Sequence, residues 1–223
     1  MAVCLSEFEM RLGMSAFGVY EVKGFEALQM DVSGIDKEEL KRKFTEQDIM
    51  ERTEKGTYRF TALGSYMFRI LAEADAWIRI EDEERVLLRW IYVKGADYLC
   101  VDRIGEMLSF VFLPLLPVAI GAYADALEGI GGNRSLDNGE SDWDWKAVYE
   151  QGKEFLKISG EINTQDFMRY CFVRQDSGLC VGKWSVNGDE EYELVWEDIV
   201  VNKITSWLLR GLNKKGDGED EFI

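Results

Sequence analysis

A segment of this chain occurs twice, eighty residues apart and without a gap. Arg89-Trp90-Ile91-Tyr92-Val93-Lys94, followed by Leu99-Cys100-Val101, returns as Arg169-Tyr170-Cys171-Phe172-Val173-Arg174, followed by Leu179-Cys180-Val181. Of thirteen aligned positions five are identical and four more keep aromatic, basic or apolar character, while Ile78/Ile158 and Glu81/Glu161 extend the match upstream. A fixed internal period is usually the mark of a duplicated structural unit, so the chain is read as two similar halves, with two unrelated meanders as the alternative. The repeated stretch alternates in the manner of a strand, sending Trp90 and Tyr92 to one face and Ile91 and Val93 to the other.

The flanking residues give each half the same order. In the first, Thr61 caps a helix running to about Trp77, and strands follow at 88–94, 98–103 and 107–112. Pro114 and Pro117 then open a helix through Val118, Tyr123 and Leu127, since proline is tolerated in a first turn. In the second, a helix spans 143–157, strands cover 167–174, 178–186 and 191–196, and a closing helix runs over 197–212. The reading is an α+β fold of quasi-twofold, duplicated α-β-β-β-α units, with an antiparallel sheet and packed helices. Boundaries fall at 62–128 and 143–212. Between them 129–142 is a glycine-rich polar linker, and 213–223 is an acidic tail too polar to order itself.

Residues 1–61 stand outside the repeat. Ser6 and Glu9 have capping-box spacing ahead of a helix at 6–15, and Val19-Tyr20-Glu21-Val22 has the composition of a short strand. A helix with Leu40 and Phe44 on one side, a second short helix at Ile49 and Met50, a Gly56 turn and Tyr58-Arg59-Phe60 give the order of a winged helix. Over Asp36 to Arg59, however, seven basic residues meet seven acidic ones. The element has no electrostatic footprint for DNA and is read as structural.

Charge and composition exclude more than they assign. A net charge of -16 repels a phosphate backbone and an anionic membrane surface, so neither nucleic acid nor a bilayer is an expected partner. No secretory leader and no membrane-spanning run is read, which makes the expected location cytoplasmic. The chain has no histidine, which removes the commonest general base and transition-metal ligand. Serines lie in no nucleophile elbow, the acidic run Glu81-Asp82-Glu83-Glu84 lacks calcium-loop spacing, and Gly129 to Gly132 fits no phosphate-binding fingerprint. No cofactor, metal or catalytic residue is expected. Cys100 and Cys180 occupy matched positions and are read as small buried hydrophobes, with a pseudo-symmetric thiol pair as the alternative.

Leu5-Ser6-Glu9, the run Tyr58-Arg59-Phe60-Thr61, and the paired segments Arg89 to Val93 and Arg169 to Val173, in this order, resemble the EspG family of type VII (ESX) secretion chaperones. The resemblance spans almost the whole chain. It implies a cytosolic, non-enzymatic, quasi-twofold protein that shields the tip of a secreted helical-hairpin substrate before export. The chain departs from the family in being short, so the family's substrate-binding loops are not carried over.

A partner surface needs exposed aromatics with a polar rim, and the second half concentrates Trp184, Tyr192, Trp196 and Trp207. The expected protein-binding surface is therefore the 184–196 hairpin with the closing helix, with a place in the core as the alternative for each of the four aromatics. Two other classes fit the composition. One is an acidic immunity protein that covers the basic site of a secreted toxin domain, and the other is a histidine-free enzyme.

Overall fold

The computed structural model describes residues 2–26, 36–82, 88–113, 143–175 and 179–213. The elements in chain order are β1 (Val3–Ser6), α1 (Glu7–Ser15), α2 (Lys37–Glu46), β2 (Met50–Arg52), β3 (Tyr58–Phe60) and α3 (Ala62–Glu73), then β4 (Ala76–Asp82), β5 (Leu88–Lys94), β6 (Asp97–Ile104) and β7 (Met107–Leu113). The second half contains α4 (Trp145–Glu150), β8 (Lys153–Ile162), β9 (Asp166–Arg174), β10 (Cys180–Val186), β11 (Asp189–Leu194) and α5 (Glu197–Asn213). The strands other than the β2–β3 hairpin form one nine-stranded antiparallel sheet in the order β1-β7-β6-β5-β4-β8-β9-β10-β11. The α+β class and the large antiparallel sheet are as expected.

Each half nevertheless holds four meander strands rather than three. The helix read through Trp77 stops at Glu73, because Ala74 turns extended at φ -54°, ψ 131°, and Ala76–Asp82 becomes β4. The helix read over 143–157 is confined to Trp145–Glu150, and Lys153–Ile162 becomes β8. Both overlooked strands bury every second residue, Ala76, Ile78 and Ile80 in one and Leu156, Ile158 and Ile162 in the other. Met50 opens β2 instead of a helix, after Asp48 takes a positive φ of 59°. Val19 to Val22 form no strand. The chain just beyond them lies against the sheet, where the Lys23 carbonyl accepts from the Tyr92 hydroxyl and the Gly24 carbonyl from Trp90 Nε1. The helix opened by Pro114 and Pro117, the 129–142 linker, the acidic run beyond Asp82 and the tail beyond Asn213 lie outside the described residues.

The quasi-twofold relation has a visible axis. Along the β4–β8 seam, Arg79 and Ser159, eighty residues apart, are direct cross-strand partners, and Ile78 and Ile80 pair with Gly160 and Ile158. One strand outward the eighty-residue period fails. Ile78 pairs with Ile91, but its counterpart Ile158 pairs with Tyr170, so the position equivalent to Ile91 is Tyr170 and not the sequence-matched Cys171. A one-residue slip of a strand sends its whole side-chain set to the other face. Trp90 and Tyr92 accordingly bury on the face covered by α1 and α3, whereas Tyr170 and Phe172 bury on the opposite face under α5.

The matched cysteines separate for the same reason. Cys100 pairs with Ile91 while Tyr170 pairs with Trp184, so the counterpart of Cys100 is Trp184 and Cys180 lies four residues away along β10. Both are buried, neither is in a disulfide, and they belong to the same hydrophobic cluster. Their sequence match reflects two hairpins with different turn lengths, not a symmetric thiol pair.

Candidate functional site

The slip gives the two halves different surfaces on the α3 side. In the first half that face is apolar and covered, with Trp90, Tyr92, Leu99 and Val101 under Met67, Phe68 and Leu71. In the second half the same face presents Lys157, Ser159, Arg169, Lys183 and Ser185, a row set by the register of β8, β9 and β10. Its only helical cover among the described residues is α4, six residues long with none buried. A groove of about 740 Å³ remains, lined by Trp77, Tyr149, Phe167, Arg169, Lys183 and Ser185 among others.

Charge inside this groove is uneven. Lys183 Nζ lies 2.5 Å from Glu190, and Lys157 Nζ lies 3.0 Å from Glu81. Hydrogen bonding to Lys183 lowers the Glu190 carboxyl, as expected for a charged pair. The Arg169 side chain makes no hydrogen bond or ion pair among the described residues. Tyr149 stacks edge-on against Tyr192 at 5.5 Å, and Phe167 is 53% exposed at the rim. Cys171 opens toward the same side, and burial pushes its thiol up to about 11, which favours the protonated form near neutral pH.

On the opposite face a cleft of about 510 Å³ separates the β10–β11 hairpin from α5, bounded by Trp184, Asp189, Glu191, Lys203, Trp207 and Arg210 among others. Lys203 bridges Glu191 at 3.0 Å and Glu193 at 2.7 Å and sits 5.2 Å from the centre of the Trp184 ring. Tyr170 donates to Glu193 at 2.6 Å, and burial followed by this hydrogen bond moves its hydroxyl far above the usual range. This cluster of paired charges ties the hairpin to α5. Among the described residues no group of three carboxylates or thiols is placed to hold a metal ion.

The four aromatics singled out in the sequence do not form one surface. Trp184 and Trp207 are 6% and 4% exposed and belong to the core beneath α5, because the even-numbered positions of β10 face that helix. Tyr192 is half-buried on the other side of the sheet, and Trp196 is half-buried where α5 begins, its carbonyl accepting from Val200 N–H at 3.1 Å. Arg169 and Phe167 were not selected, although both lie in or beside the repeated segment. The sequence carries no signal for them, because the ungapped match hides the change of register that puts Arg169 where Trp90 lies in the first half.

No family model and no curated protein matches the chain. Among solved structures it is similar to the type VII secretion system chaperone EspG5 of Mycobacterium tuberculosis, solved in complex with a PE25-PPE41 dimer. The likeness has a TM-score of 0.55 and 9% identity, and covers 90% of this chain and 93% of that one. At that identity the shared property is the fold, an α+β architecture around a large antiparallel sheet.

Proposed function

We propose that this protein is a non-enzymatic chaperone or adaptor that holds a helical-hairpin protein destined for a type VII secretion system. The observation that carries the reading is the likeness of fold over nearly the full length of both chains, to a chaperone whose structure includes its bound dimer. The second half supports it by offering two clefts on opposite faces of one sheet. Of the four aromatics, Tyr192 and Trp196 have the exposure to touch a partner, while Trp184 and Trp207 hold the frame beneath it. The proposed setting is the cytoplasm, and no helix among the described residues is long and apolar enough to cross a membrane.

The net charge of -16 favours a second reading, an acidic immunity protein that covers the basic site of a toxin. Pull-down of the tagged full chain from its native cytoplasm separates the two. The expected catch is a secreted helical-hairpin protein that aggregates alone and stays soluble in the complex. Recovery of only a toxic catalytic domain, silenced by the chain, would replace the chaperone reading with the immunity one.

A further inference from the structure

We infer that the groove on the α3 side of the second half is the seat of an α-helix from the partner, and that this helix presents a carboxylate to Arg169. The inference rests on the chaperone reading and adds to it the binding face, the shape of the bound segment and its charge.

The first half shows what this sheet surface accommodates. Across the axis at Arg79 and Ser159, the equivalent surface is covered by the chain at Lys23 to Phe25, whose Phe25 ring stacks on Trp90 at 4.1 Å, and by α3, a helix of twelve residues. Its counterpart α4 has six, and the space left over is the groove. A helix with its side chains is about 10 Å across, which a strip of two to three strands spaced about 4.8 Å apart can receive.

The floor specifies the charge of that helix. Ser159 and Ser185 are the direct cross-strand neighbours of Arg169, so two short side chains flank the guanidinium and leave it accessible from above. The neighbouring cations have carboxylate partners, Lys183 in Glu190 and Lys157 in Glu81, which it shares with Arg79. Arg169 has no ion-pair partner among the described residues, although Glu154 lines the same groove, and a planar guanidinium favours a carboxylate in two-pronged contact. Exposed Phe167 and half-buried Tyr149 supply apolar anchors on either side. An amphipathic helix with one acidic residue among its apolar contacts satisfies all of these groups.

The test titrates the full chain with a hydrocarbon-stapled amphipathic peptide about three turns long, carrying Glu among Leu and Phe contacts, and with a twin in which that Glu is Lys. Calorimetry should show the Glu peptide binding at least about tenfold more tightly than its twin. Arg169→Glu should reverse that preference, and Phe167→Ser should weaken both peptides. Both sites are exposed, so the variants should fold, which circular dichroism verifies. An unchanged preference in Arg169→Glu, or binding lost only on Arg210→Glu in the α5 cleft, overturns the groove assignment and leaves the chaperone reading intact. If neither peptide binds while the pull-down partner does, the groove assignment also falls. Absence of any hairpin partner from the pull-down counts against the chaperone reading itself.

Discussion

Gly160 shows how a single residue fixes the packing at the axis. A Cβ built there would lie 2.8 Å from the Trp77 carbonyl oxygen and 3.0 Å from Cη2 of Trp207, so the Trp207 ring occupies the space a side chain would need. A mid-strand glycine of this kind marks close approach of another group. Gly160→Val should therefore destabilise the protein by about 1–3 kcal/mol through overpacking, read as a lower urea midpoint. Unchanged stability would mean that Trp207 is free to move and is not the core residue described above. The sequence made Trp207 conspicuous but not its burial, because a tryptophan on an amphipathic helix looks the same whether its stripe meets a sheet or a partner.

The capping box shows what is legible at the scale of an element. Ser6 accepts from Glu9 N–H and Glu9 accepts from Ser6 N–H, starting α1 where the three-residue spacing placed it. Not visible in the sequence was the tertiary partner, Lys43 on α2, whose ammonium lies 2.8 Å from Glu9. Burial alone would raise the Glu9 carboxyl, yet the Lys43 contact and the Ser6 hydrogen bonds outweigh it and hold the group below its ordinary value of 4.5. A carboxyl lowered by folding contributes stability that is present above its ordinary value and is lost as the pH falls through the lowered one. Glu9→Gln should remove that acid-side component and leave a flatter stability profile below about pH 4.5, measured by denaturant titration at a series of pH values. An unchanged acid-side slope would show that the Lys43 contact contributes nothing. The overlooked β4 and β8 make the complementary point. Ile78 and Ile80, or Leu156 and Ile158, alternate over too few residues to compete with a helical pattern running into them, and it is tertiary pairing, with each other and with β5 and β9, that makes them strands.

At the scale of the molecule, the β4–β8 seam makes one sheet of two units. Ile78, Ile80, Ile91 and Val93 from the first half share a core cluster with Ile158, Tyr170, Trp184 and Trp207 from the second, so the core on the α5 side is built by both halves together. The protein should unfold in a single transition. Ile80→Ala should cost about 2–5 kcal/mol and lower amide-exchange protection in β6 and β9 together. Loss confined to β6 would mean that the halves are independent domains. The duplication itself was legible in the sequence, but its consequence was not, because an ungapped match assumes the same register in both halves. The separation from Ile78 to Ile91 is one residue longer than that from Ile158 to Tyr170. After a gene duplication, a one-residue length difference ahead of a strand exchanges its inside for its outside. Two copies of one ancestral sequence can in this way come to carry unlike surfaces, one kept for folding and the other free to acquire a partner.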